Sequence, residues 1–387
     1  MNATLGADER FREQIAGIYA DVPGARHLPP EIYCSPDVAE REKSKIFMRQ
    51  WLSVAREEEL PNAGDYLTLR IAGEPVVIAR ENGGSIVAYM NACLHRGVQV
   101  AFDKGNAERF HCPYHAWTYD IAGNLIGAPR MKDSGHDLEG QRLPRIRTAL
   151  WRGWVFINFD ESAPSFEQFI EPYEENAWWY RSGDCRLAHK VVFDVQCNWK
   201  FIVENLVDYY HASTVHAGTF GTFYRLGTKS LPGKLLPGGG SLVEFGESIR
   251  TYDTNLPFPR LPWMAEGHVV QAKGAMFPNV NFSAADSLRV WHIWPDGPQR
   301  TQLIGYILLP PASFNIPDYE SKLKGYVDYV GRIVSEDRLA LESLQSAVNS
   351  SRFNPGLLSN LEGYLQHLLK HYVDVMDFGG NASSSAV

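Results

Sequence analysis

The chain has 387 residues, 44% of them hydrophobic and 21% charged, an ordinary globular balance with length enough for two domains and a sizeable core. A formal net charge of -8 and no long Lys/Arg run argue against a nucleic-acid or anionic-membrane surface. The first residues lack an apolar leader, no apolar run approaches the ~18 residues of a membrane helix, and five scattered cysteines (34, 93, 112, 185 and 197) make no disulfide framework, so a cytoplasmic protein is expected.

Residues 10–24 read as a short helix closed by DVPG, followed by a Pro-rich connector and a second helix over Asp37 to Arg49. From Trp51 to about Asp160 the texture changes to short alternating runs such as GDYLTLRIAG and GWVFINFD between Gly, Asn and Asp turns, which predicts a small all-β domain. Inside it lie two arms, C-x-H at Cys93 and His95 and C-x2-H at Cys112 and His115, sixteen residues apart. Each arm offers one thiolate and one imidazole. A zinc finger normally groups its cysteines first, although an interleaved zinc site stays open. A Rieske 2Fe-2S cluster, with two thiolates on one iron and two imidazoles on the other, uses this set directly. Tyr114 and Trp117 would shield such a site or simply pack, and His111 reads as a structural or surface histidine.

After the acidic connector ESAPSFEQFIEPYEENAWWY come a strand-like KVVFDVQ, a helical NWKFIVENLVDYYHASTVH, and strands near 241–254, 268–283, 287–295 and 300–309. This order predicts an α+β domain with an antiparallel sheet. Residues 218–240 read as a mobile loop, and the GGG at 238–240 is no dinucleotide fingerprint. A sequon at Asn381 ends a polar tail and is expected to be chance.

The helical segment carries D-x2-H-x4-H: Asp208, His211 and His216. Residues five apart diverge by about 140° on an ideal helix, so the histidines converge only if the helix bends, bulges or ends between them. Asp208 and His211 would share a face, and their hydrogen bond would set the tautomer that leaves one nitrogen free for metal. Two partly exposed histidines beside a solvated Asp is the plain alternative.

A last long helix, roughly 317–349, has Leu323, Val327, Val330, Val334, Asp337, Leu341, Leu344 and Val348 in one stripe. An acid there needs a cation or a metal, and a buried ion pair would also serve. Two imidazoles and a carboxylate make the facial triad of non-heme Fe(II) oxygenases, with Asp337 the candidate carboxylate and Glu336 about 100° off the stripe. Leu206, Val207, Val215, Phe282 and Trp291 are candidate pocket residues, each equally readable as core.

Taken together, CPYHAWTYD, NWKFIVENLVDYYHASTVH and the later ED-x4-E helix resemble the oxygenase alpha subunit of the Rieske non-heme iron oxygenases, over about residues 45–349. The resemblance implies a helical arm at 1–44, a Rieske domain at 45–165 and a helix-grip catalytic domain at 166–387. It implies Cys93, Cys112, His95 and His115 on the cluster, His211, His216 and Asp337 on a mononuclear iron, and Asp208 as a link to His115 of the partner subunit. The expected partners are O2, a small organic substrate (aromatic or N-alkyl), a separate reductase or ferredoxin, and copies of the chain in a homotrimer, with or without a small beta subunit. Val98 and Tyr114 stand where respiratory Rieske proteins carry two further cysteines. An electron carrier or redox sensor with a ligand-binding domain is the second reading.

Overall fold

Alternation of apolar and polar residues builds two seven-stranded antiparallel sheets, each in its own compact unit. The computed structural model describes residues 9–378 except 23, 132–134, 136, 137, 226, 228–230, 252, 254 and 255; Asn381 and part of the loop expected at 218–240 lie outside the described residues.

One unit, Phe47–Phe169, carries the sheet Leu52–Arg56, Trp154–Asn158, Arg145–Trp151, Ile86–Met90, Glu74–Arg80, Asp65–Ile71 and Lys104–Asn106, in that spatial order. A small three-stranded sheet, Arg109–His111, Thr118–Asp120 and Leu125–Gly127, completes it. Tyr89, Cys93, Cys112, Trp117 and Tyr119 share one buried cluster, so both cysteine loops are rooted in core.

The other unit, Met1–Ile46 with Ile170–Val387, is built on the sheet order Arg186–Val195, Thr301–Leu309, Leu288–Pro295, Val280–Ala284, Gln271–Met276, Ser241–Phe245 and Gly233–Leu235. Helix Trp199–Val207 packs on Leu288–Pro295 and the long helix Tyr319–Val348 on Arg186–Val195. The architecture is α+β. Asn198 caps the first of these helices, its side-chain oxygen accepting from Lys200 N, and almost every residue of that helix is buried.

Several boundaries differ from those expected. The first helix stops at Ala16 and continues only as the short turn Gly17–Tyr19, and the second gives way after Glu42 to a single π turn, Lys43–Phe47. The acidic connector contains a helix, Phe166–Asn176. Its start is a capping box: Ser165 N donates to Gln168 Oε1 at 3.1 Å, and Gln168 N donates to Ser165 Oγ at 3.3 Å. A C-terminal helix, Gly363–Met376, follows the stripe helix, on which Leu344 proves 43% exposed.

Within this unit the N-terminal arm is tied to the helices Trp199–Val207 and Gly363–Met376 through Glu42, 3% exposed. Its carboxylate accepts from Lys200 Nζ, from Trp199 Nε1 at 2.9 Å and from Tyr372 OH at 2.6 Å. Burial lowers the Lys200 pKa and Glu42 opposes that shift. Removing the carboxylate alone would strand a buried ammonium. Glu42→Ala should therefore cost about 3–5 kcal/mol, whereas Glu42→Leu combined with Lys200→Met should restore part of the loss; calorimetric unfolding of the three proteins checks this order.

Candidate metal centres

The two cysteine arms use one backbone pattern. Cys93 N donates to Val98 O and Gly97 N to Cys93 O; in the second loop Cys112 N donates to Trp117 O and Ala116 N to Cys112 O. The residue four beyond each cysteine sits at positive φ, +77° at Gly97 and +56° at Ala116. Each loop thus wraps tightly around its cysteine. The return of the first loop is pinned by the buried amide of Asn91, whose Oδ1 accepts from Val100 N at 2.9 Å and Ala101 N at 3.1 Å, while Nδ2 donates to Ala101 O at 2.8 Å.

Cys93 and Cys112 are 3% and 4% exposed, whereas His95 and His115 are exposed. The two imidazoles meet Nδ1 to Nδ1 at 3.0 Å. Two nitrogens about 2.1 Å from one metal at a right angle stand about 3.0 Å apart, so this spacing fits a shared ion. Trp117 stacks on His95 with centroids 5.1 Å apart, and Tyr114 on His115 at 3.9 Å. Arg96 donates to Tyr114 OH at 2.8 Å. Tyr119 OH accepts from Leu94 N at 3.0 Å and stands 3.2 Å from Cys93 Sγ, so its own proton is free to go to the sulfur. His111 is not drawn in; its Nδ1 pairs with Thr118 Oγ1 at 3.0 Å.

In the second unit the helix expected across D-x2-H-x4-H ends at Val207. Asp208 is extended (φ -79°, ψ 128°), and a separate single turn, Ala212–Val215, places His211 before it and His216 after it. Asp208 and His211 therefore meet through a local turn and not along a helix face. Asp208 Oδ1 accepts from Tyr210 N at 2.6 Å, and Oδ2 from His211 Nδ1 at 2.9 Å. His216 is 1% exposed, and the chain folds back over it through Gly221 N, which donates to His216 O at 2.7 Å. A Cβ at Gly221 would lie 2.6 Å from Ala212 O, so only glycine fits.

The nitrogen facing away from the centre is held on His216 as well: Nδ1 pairs with Glu336 Oε2 at 2.8 Å, an oxygen that also accepts from Thr219 Oγ1 at 2.6 Å. Glu336, placed off the stripe by helical geometry, thus reaches the site as a support. Sequence reasoning missed this role and that of Thr219. A carboxylate on each Nδ1 puts the ring proton there and leaves each Nε2 as a lone pair.

Asp337 Oδ1 stands 3.1 Å from His216 Nε2 and 3.7 Å from His211 Nε2. It is buried and has no hydrogen-bond donor. The three ligand atoms lie within 4.8 Å of one another. Three electron-pair donors converging without a proton between them is an arrangement that a cation would complete.

The cavity over this triad is lined by Leu206 and Trp291, as expected, but not by Val207, Val215 or Phe282. Val207 is buried in helix packing, and Phe282 meets the Tyr180 ring instead, tilted by 47° with centroids 4.3 Å apart. Period-2 alternation explains the difference, since Asn281 and Ser283 take the cavity face of that strand. Polar residues interrupting apolar strands, Lys273, Ser283 and Arg289 among them, were the available signal. No helix among the described residues is long and apolar enough to cross a membrane.

Two families match the chain: Ring hydroxylating alpha subunit (catalytic domain) over residues 182–378, and Rieske 2Fe-2S domain over residues 50–147. The biphenyl dioxygenase alpha subunit of Metapseudomonas furukawaii is 30% identical over 340 residues, covering 77% of this chain and 73% of that protein. The carnitine monooxygenase oxygenase subunit of Acinetobacter pittii is 34% identical over 195 residues, 49% of this chain and 53% of that one. Among solved structures, a quaternary ammonium Rieske monooxygenase superposes with a TM-score of 0.77 at 23% identity, covering 95% of this chain and 98% of that chain. Naphthalene 1,2-dioxygenase from Rhodococcus gives 0.75 at 20% identity with the same coverage. At that identity the structural likeness speaks for the fold.

Glu336→Ala should weaken mononuclear iron binding about 10–100-fold, and Asp337→Ala should empty that site, both with the cluster's visible absorption unchanged; iron analysis after dialysis against a chelator reads this. Tyr119→Phe, which removes a donor to Cys93 sulfur, should lower the cluster's reduction potential without loss of cluster, as redox titration followed by absorption would record.

Proposed function

The chain belongs to the Rieske non-heme iron oxygenases as an alpha subunit, and we propose that its catalytic centre is the His211, His216, Asp337 triad, served by a cluster on Cys93, His95, Cys112 and His115. As the terminal oxygenase it carries one Rieske 2Fe-2S cluster and one mononuclear non-heme iron, and uses O2 and externally supplied electrons to oxygenate a small organic substrate. The reading as a mere electron carrier or redox sensor is set aside, because a catalytic domain matches residues 182–378.

The observation that carries the assignment of residues is the convergence of three proton-free donor atoms at Asp337 Oδ1, each imidazole being turned by its own carboxylate. Iron bound there would supply, in its Fe(II) state, the capacity to activate O2. The chain's residues do the rest. Asp208 holds the His211 ring by Nδ1, and Glu336, steadied by Thr219, does the same for His216. Phe220 lies against the His216 ring with centroids 4.2 Å apart and limits water on that side. Leu206, Val334 and Leu341 give the cavity around Asp337 an apolar floor on which a hydrocarbon can rest.

Electron delivery is assigned to Asp208. Both its oxygens are engaged within the chain, yet each retains a second lone pair, and the side chain is 15% exposed. A donor from outside can therefore be accepted, and His115 of the partner subunit in a head-to-tail trimer is the proposed one. The electrons are assigned to a separate ferredoxin or reductase. Either a homotrimer or an assembly with a small beta subunit would present this contact.

Asp208→Asn keeps the size and loses the charge. Both iron sites should stay filled, while substrate-dependent O2 uptake with a reductase falls by at least about 10–100-fold. Full coupled turnover in this variant would remove Asp208 from the electron path.

A further inference from the structure

The sheet side of the cavity carries cations. Lys273, Ser283 and Arg289 are successive rungs across three antiparallel strands, Lys273 pairing with Ser283 and Ser283 with Arg289. All three line the cavity. Strands are spaced about 4.8 Å, which sets the two cationic side chains about 10 Å apart at their roots. Arg250, 5% exposed, comes in from the segment after strand Ser241–Phe245, its guanidinium 5.1 Å from the Tyr224 ring centroid.

Among the described residues none of the three cations makes an ion pair, and Arg250 Nε and Arg289 Nε are buried without an acceptor. Lys273 Nζ lies 5.1 Å from the centroid of the Tyr209 ring. Burial first, and then the charges of Arg289 and Arg250, push the Lys273 pKa down to about 8, against the opposing pull of Asp337 and Asp208, so these groups feel one another. Asp253 and Asp286 share the wall. Asp286 accepts from Tyr326 OH at 3.1 Å; burial raises its pKa, and the charges of Arg289 and Arg250 oppose that shift. With Asp337 committed to the metal position, three cations against these two acids leave a positive surplus in the cavity, which an anion would complete. Apolar side chains in the same places would pack at lower cost, so the expense points to a ligand.

Building on the oxygenase assignment of this cavity, we infer that the substrate is an organic carboxylate, with its anionic end held among Arg250, Lys273 and Arg289 and its hydrocarbon end toward the triad. Val334 and Leu341, one turn to either side of Asp337, and Leu206 form the apolar end. Arg supplies a fork that matches a carboxylate in two hydrogen bonds.

The test pairs each acid with a partner of like shape lacking the charge: 4-methylbenzoate with 4-methylbenzamide, and glycine betaine with choline. Binding to the iron-loaded holoenzyme is measured by titration calorimetry, apart from turnover. At least one carboxylate should bind about 10-fold or more tighter than its partner. Arg289→Met and, separately, Lys273→Gln should erase that preference while leaving iron content and the weaker partner's affinity unchanged. Equal affinity within both pairs, no binding by either acid, or an equal loss for acid and partner in both variants would overturn the inference. Oxygen uptake with a reductase is recorded on the same samples, and its absence for a compound that binds would count against the oxygenase assignment and not against the anion site.

Discussion

A carboxylate on the outer nitrogen of each imidazole is the constraint on which the catalytic half depends. Asp208 and Glu336 come from different parts of the chain, one from a turn after a buried helix and the other from the middle of a thirty-residue helix. Each decides which ring nitrogen carries the proton. Without them the rings could flip or change tautomer, and the convergence on Asp337 Oδ1 would be lost. The neighbouring acids 336 and 337 divide the work, one holding the His216 ring by Nδ1 and the other facing the Nε2 atoms of both imidazoles.

The same logic of support behind a ligand shapes the other centre. Cysteines buried in the core and histidines at the surface give the cluster position an insulated side and a side open to exchange. Tyr119 sits behind the first loop, engaging both the Leu94 amide and the Cys93 sulfur. Matching turns around Cys93 and Cys112 show that the two loops solve one geometric problem twice, with glycine in one and alanine in the other at the strained position.

Much of this was legible in the sequence where a residue's type and its spacing carried one meaning. The Cys and His arms, the two histidines and an acid in an apolar stripe are such features; His211, His216 and Asp337 converge, and His95 meets His115 while Cys93 and Cys112 share one buried cluster. What stayed hidden depended on backbone direction. The end of the helix at Val207 turns on Asp208 leaving helical geometry to accept Tyr210 N, a choice that local spacing does not announce. Glu336 was misplaced because ring position around a helix says little about where a flexible glutamate ends. Phe282 was misplaced by a single residue of strand phase. The helix Phe166–Asn176 had its signal, Ser165 and Gln168, masked by the acidic character of the stretch.

The strand phase that excluded Phe282 has a broader bearing. Since Gln271 and Lys273, Asn281 and Ser283, and Arg289 and Trp291 line the cavity from alternate positions of three adjacent strands, ligand preference is written on a small lattice of side chains, while the positions between them answer only to packing. Changes of chemistry can therefore accumulate on one set without disturbing the other. A scaffold of this kind lets a lineage move between unlike compounds by editing a handful of sites, with the metal-holding segments left untouched.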